Sequence, residues 1–204
     1  MNVADRLRAG ILAGDFVPGQ RLVEAELCHQ FNSSRGTVRA ALVNLTHEGL
    51  VERVANRSAR VRTVNVEQAV AITEVRLAVE GLCAYRAAVN VTDTQVEELA
   101  ALGRQMRDAV RSGEIMAYSN LNSTLHETVG VIAGQPVAAD VLANLRARNV
   151  RHQFRLALRP GRPQVSLPEH LAIIEAICAR DPEAAERAAR RHVAGVIAAL
   201  REQV

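Results

Sequence analysis

From Glu67 to its last residue the sequence keeps a helical texture, interrupted only at Asn90-Val-Thr92, Ser112-Gly113, Gly134-Gln-Pro136, Pro160-Gly-Arg-Pro163 and Asp181-Pro182. Proline lacks the amide hydrogen a helix interior needs, and glycine readily adopts the backbone that ends one. The five breaks therefore divide this stretch into about six helices of ordinary length. Packed helices are the architecture such a pattern allows. Composition agrees, because 49% of residues are hydrophobic but only 2% aromatic. A core made of Leu, Val, Ile and Ala suits a helical bundle better than a sandwich built on bulky sheet residues.

The first third reads differently. Val3, Leu7, Ile11 and Leu12 fall near one face of a helix over Val3 to Ala13, which Gly14 and "FVPGQ" end. After a turn, "VEAELCHQF" places Leu27 and Phe31 four apart in a short helix that Asn32, Ser33 and Ser34 stop. Ser33 or Ser34 can cap the next helix, Arg35 to His47, whose buried stripe is Val38, Ala41, Leu42 and Leu45; Gly49 closes it. The period then changes in "LVERVANRSARVRTV", where Leu50, Val51, Val54, Val61 and Val64 flank the polar tip "ANRSAR". Three helices and a two-stranded hairpin make a winged helix-turn-helix over residues 1–64. The junction falls between Val64 and Glu67, and residues 67–204 form the larger helical domain.

Charge separates the two parts. Residues 1–64 hold nine of the 25 basic residues and six of the 22 acidic ones, so the whole excess of +3 lies there. A module of that kind faces a polyanion. Arg35 and Arg39 are one helical turn apart and leave the same face, opposite Val38 and Leu42. A helix of this length fits the major groove of B-DNA, where one guanidinium can grip guanine O6 and N7 while the other takes a base or a phosphate. Thr37 adds a hydroxyl and a methyl at the same end, and Gly36 leaves room for close approach. Two arginines on a helix are usually no more than a solvated face. The preceding short helix, the local positive excess and the wing arginines Arg57, Arg60 and Arg62 favour DNA binding over that reading.

Several classes are disfavoured. No run approaches the roughly 18 apolar residues of a membrane span, and charges in "MNVADRLRAG" stand where a secretion signal would be apolar, so a cytoplasmic protein with no membrane partner is expected. Cys28, Cys83 and Cys178 are odd in number and form no CxxC pair, which suits small apolar residues in a reducing compartment. There is no GxSxG elbow and no P-loop, and "HETVG" lacks the second histidine of HExxH. A metal-dependent hydrolase with a DNA-binding appendage, using Glu127 or Glu169 as base, is the alternative function. A structural nucleoid protein would want basic charge throughout, which the neutral second part opposes.

In that second part Asn122 and His126 are four apart on one helix, His170 begins "EHLAIIEAICAR", and His192 lies inside the last helix. A bundle can aim three imidazoles at one interior point, where their neutral nitrogens bind a divalent metal. Taken singly, each histidine is more often a satisfied core or surface residue.

"GDFVPGQRLVEAELCHQFNSSRGTVRAALVNLTHEGLVERVANRSARV" resembles the DNA-binding domain of GntR-family bacterial repressors, with its PG-x-x-L turn, serine-arginine helix entry and EGLV before the wing. The resemblance implies that Arg35 and Arg39 contact bases or phosphates, with Thr37 nearby and the wing tip in the minor groove. Gly36 stands where that family usually has threonine, and Ser58 where its wing usually has glycine. "VRLAVEGLCAYRAA", "HETVGVIAGQPV" and "LPEHLAIIEAICARDPEAAERAARRHV" look like the FCD ligand-binding domain of the FadR branch, and six helices would make it VanR-like. That likeness implies a metal site, zinc or nickel, on Asn122, His126, His170 and His192, with Asn122 replacing the family's aspartate. Arg76 matches an FCD arginine that faces the cavity and can pair with a ligand carboxylate; a bond to Glu80, one turn on, is the competing reading. Arg148, Arg151 and His152 on a later helix can line the same cavity. The expected protein is a homodimeric repressor whose affinity for operator DNA is set by a small carboxylate effector in the helical, metal-containing pocket.

Overall fold

The computed structural model describes residues 2–54, 58–157 and 159–202, which divide into two compact units. One comprises residues up to Asn65 together with Arg146–Arg151; the other begins at Val66.

The first unit opens with α1 (Val3–Ala13). Its start is fixed by a reciprocal cap, in which Asn2 accepts from the Asp5 amide and Asp5 accepts from that of Asn2. Val3, Leu7 and Ile11 are buried as their spacing predicts, but Leu12, expected on the same face, is 40% exposed. It lies one residue past Ile11, about 100° round the helix and away from the core.

The two-residue strand β1 (Arg21–Leu22) follows, then α2 (Glu24–Phe31), which ends on Asn32 in the left-handed region. Helix α3 (Arg35–His47) is capped by Ser34, whose Oγ accepts from the Thr37 amide. Val38, Ala41, Leu42 and Leu45 are its buried stripe. Strands β2 (Val51–Val54) and β3 (Ser58–Val61) pair antiparallel with Glu52 opposite Arg60. The expected two-stranded wing is a three-stranded sheet, because β1 adds to β3 with Arg21 opposite Arg60 and Leu22 opposite Ala59. Leu7, Leu22, Leu45, Val51 and Val61 close the core between helices and sheet. Burying each such side chain contributes roughly 1.5–3 kcal/mol.

The second unit is made from six helices: α4 (Val66–Asn90), α5 (Asp93–Arg111), α6 (Ile115–Ala133), α7 (Pro136–Ala157), α8 (Arg162–Cys178) and α9 (Pro182–Arg201). Residues 146–151 of α7 group with the first unit. Helix α4 packs on α6, α8 and α9, and α5 packs on α6 and α8. Ala84, Ala87 and Ala88 on α4 and Ala185 and Ala189 on α9 are buried in the same core, and their small side chains let helix backbones approach closely. Leu99, Met106, Leu125 and Ile177 fill the interior between the other helices. Cys28, Cys83 and Cys178 form no disulfide. No helix of the described residues is long and apolar enough to cross a membrane.

Candidate nucleic-acid interface and metal centre

The Ser34 cap fixes where α3 begins and so which side chains stand at its first turn. Arg35, Gly36, Thr37 and Arg39 are all exposed there, whereas Val38 between them is buried. Thr37 Oγ1 lies 2.9 Å from Ser34 Oγ. Arg39 reaches across to the first residue of α2, where its Nε donates to both oxygens of Glu24 at 2.9 and 2.8 Å. That hydrogen bond, with the positive charges of Arg39, Arg35 and Arg53, holds the Glu24 carboxyl below its usual range. On the wing, Arg60 Nε donates to Glu52 on the neighbouring strand. Arg62 is half-buried in the segment just after β3, and Arg57 at the wing tip lies outside the described residues.

Within the second unit, α6, α8 and α9 bring His126, His170 and His192 together, with one ligand atom from each within 4.8 Å of the others. Each histidine is held from outside through Nδ1. His126 Nδ1 lies 3.4 Å from Glu80, His192 Nδ1 lies 3.0 Å from Glu169, and His170 Nδ1 lies 2.9 Å from the Tyr118 hydroxyl. Glu169 accepts Nδ1–H of His192, and Glu80 stands beside Nδ1 of His126, an arrangement that would leave Nε2 of each ring to face a metal.

The third ring is oriented by a chain of hydroxyls whose direction is set at its far end. Ser166 Oγ donates to the Arg162 carbonyl at 3.0 Å, and a carbonyl can only accept. Ser166 therefore accepts from the Tyr118 hydroxyl at 2.7 Å, Tyr118 accepts from His170 Nδ1–H, and the His170 Nε2 lone pair is turned inward. Burial raises the Tyr118 phenol to about 12, so it keeps the proton this chain needs. Burial and the neighbouring His192, His126 and Arg162 hold His170 well below the ordinary histidine range, which keeps the ring neutral.

His170 Nε2 is buried without a hydrogen-bond partner, and so is the Asn122 side-chain oxygen. Buried acceptors left unmade are costly, and a cation held by the three histidines would satisfy His170 Nε2. The three imidazoles fit a divalent metal, and Asn122, one turn before His126 on α6, is the candidate for a fourth, oxygen ligand.

Arginines stand behind the carboxylates. Arg76 Nε donates to Glu80 at 2.9 Å, so the bond weighed against a ligand role is made, while its Nη1 is buried without a hydrogen-bond partner. On α8, Arg162 Nη2 lies 3.6 Å from Glu169, again buried without a hydrogen bond. Two Arg–Glu–His series thus converge on the centre. Gly195 on α9 admits the second, since a Cβ there would stand 2.6 Å from Glu169 Oε1.

Of the other residues expected around the effector, His152 is half-buried in the second unit. Arg148 is placed elsewhere: it groups with the first unit, and its Nε donates to the Glu48 carbonyl at the end of α3 at 3.1 Å. Gly49, at φ 73°, keeps open the space where a Cβ would meet that guanidinium. The side chain of Arg151 lies outside the described residues.

Residues 1–61 match the family described as bacterial regulatory proteins, gntR family, and residues 71–195 match the FCD domain. The chain belongs to the gntR family. This GntR regulator is 30% identical over 196 residues to the HTH-type transcriptional repressor RspR of Escherichia coli K12, covering 96% of this chain and 86% of that one. It is 27% identical over 223 residues to the HTH-type transcriptional repressor NanR of Citrobacter rodentium, covering 96% and 83%. The solved structure of E. coli McbR/YncC shares the fold, with a TM-score of 0.80 at 22% identity over 98% of this chain and 96% of that one.

Tyr118, Ser166, Arg162 and Glu24 of the GntR regulator were not singled out from sequence. A signal for three of them exists. Tyr118, Asn122 and His126 recur every four residues on α6, and Arg162, Ser166 and His170 do so on α8, so each set forms one polar stripe.

Proposed function

We propose that this GntR regulator is a transcriptional repressor that binds operator DNA through the first turn of α3 and releases it when a small carboxylate occupies the histidine chamber. The observation that carries the DNA reading is the outward presentation of Arg35, Gly36, Thr37 and Arg39 on a capped helix whose opposite face is buried. Arg35 and Arg39 supply the guanidiniums for base edges or phosphates, and Arg57 and Arg60 serve the wing. Glu24 keeps Arg39 extended along the surface until phosphates compete for it. The relatives RspR and NanR are both described as repressors, which supports that sign of regulation.

In the sensing domain, Asn122, His126, His170 and His192 would hold zinc or nickel. The ion would supply a Lewis-acidic anchor for a ligand carboxylate. Glu80, Glu169 and Tyr118 orient the rings, while Arg76, Arg162 and His152 flank the ligand. Glu169 is engaged by His192 and Arg162, and Glu127 is exposed, so neither suits the general base of a hydrolase. The chain acts as a homodimer, whose two recognition helices reach half-sites about one turn of DNA apart. The effector shifts the balance between arrangements that do and do not match that spacing.

The test is a gel shift on DNA from upstream of its own gene, beside metal analysis. Specific binding lost in Arg39→Ala, and metal retained by wild type but lost in His170→Ala, support the proposal. Equal binding by wild type and Arg39→Ala, or a wild type that takes up neither zinc nor nickel, overturns the corresponding half.

A further inference from the structure

The donors around the histidine centre are all uncharged. Three imidazoles come together, and Asn122, four residues before His126 on the same face of α6, offers a neutral amide oxygen, so none of these donors cancels the charge of a divalent ion. The charged groups described behind them cancel one another: Arg76 is paired with Glu80 at 2.8 Å, and Arg162 stands beside Glu169. With the ion in place the chamber keeps its double positive charge in excess, and an uncompensated charge away from water is strongly disfavoured.

Two buried donors add to the demand. Arg76 Nη1 and Arg162 Nη2 lack hydrogen-bond partners although each guanidinium already faces a carboxylate. They belong to α4 and α8, the outer ends of two different Arg–Glu–His series. A second carboxylate on the ligand would satisfy a guanidinium while the first meets the ion, and planar carboxylates match the guanidinium fork.

We propose that the effector is a small dicarboxylate, selected over monocarboxylates because Asn122 leaves the metal's charge unmatched and Arg162 offers a second anion contact. This inference rests on the metal and carboxylate reading given above. An aspartate at 122 would remove one unit of the excess and make a monoanion sufficient.

The experiment is isothermal titration calorimetry on the full zinc-loaded chain. Malonate, succinate and glutarate are each compared with the monomethyl ester, which keeps the shape and loses one charge, and zinc content is measured in every sample. At least one diacid is expected to bind wild type roughly tenfold or more tighter than its ester. Asn122→Asp is expected to collapse that ratio toward one, and Arg162→Gln to reduce it, in each case at equal zinc loading. Because the readout is a ratio within one protein, a variant that merely lost stability would not reproduce it. Diacid and ester binding alike to wild type, an unchanged ratio in Asn122→Asp, or tighter binding of inorganic phosphate than of any diacid overturns the inference and leaves the carboxylate-sensing reading to stand or fall separately. Binding of no member of the series overturns both.

Discussion

The same ion pair appears twice in this molecule with opposite consequences. Arg39–Glu24 and Arg76–Glu80 both close at 2.8 Å, but the first pair is 58% and 25% exposed and the second 6% and 5%. Water and salt screen the exposed pair, so it can open at little cost and hand its guanidinium to a phosphate or a base. The buried pair has no water to fall back on. Losing either partner strands a charge, so the second pair is fixed and can hold His126 in a set orientation. Exposure leaves one arginine within reach of solvent; burial ties the other to the carboxylate beside His126.

The strongest way to break the comparison is Glu80→Gln. It is expected to destabilise the second unit by about 3–5 kcal/mol, because Arg76 stays buried without its counter-ion. Denaturant unfolding measures this, and a loss no larger than that of a surface substitution would erase the contrast. Next comes Arg39→Ala, which should leave the unfolding midpoint unchanged while weakening operator binding roughly tenfold to a hundredfold. Fluorescence anisotropy at several salt concentrations sharpens the reading: a phosphate contact lowers the salt slope by about one, and a base contact relaxes specificity at one position.

Tyr118→Phe leaves shape and burial almost intact but removes the hydroxyl that accepts from His170 Nδ1. Zinc affinity in a competitive chelator titration is expected to fall roughly tenfold to a hundredfold, and unchanged affinity would mean that the hydroxyl chain does not orient the ring. The smallest effect is expected from Gly195→Ala, whose new methyl displaces Glu169 and loosens its hold on His192. A severalfold loss of zinc affinity is expected, measured in the same titration.

What could be read from sequence follows the range of the forces involved. The bounds of α1 and α3 come from caps and glycines within a few residues of the helix ends, so both were legible. Strand β1 was not, since two residues carry no period of their own and pair only because β3, far along the chain, comes to lie beside them. Leu12 belongs to the apolar set of α1 in the sequence, but its angle on the helix turns it toward solvent. The meeting of the three histidines is legible from helix spacing and family likeness. Tyr118 and Ser166 have meaning only through a contact between α6 and α8. Arg148 looked like a cavity residue from its place on α7, and only the folded chain directs it to the Glu48 carbonyl.

The most direct measurement is anisotropy of a labelled duplex from upstream of the gene, titrated with wild type, an Arg35→Ala/Arg39→Ala double variant and His170→Ala, with and without zinc and a diacid. Wild type should bind and be released by the diacid. The double variant should stay folded and fail to bind, and His170→Ala should bind yet ignore the diacid. A double variant that binds like wild type, or a His170→Ala protein released as wild type is, would contradict the division between an exposed reading face and a buried sensing chamber.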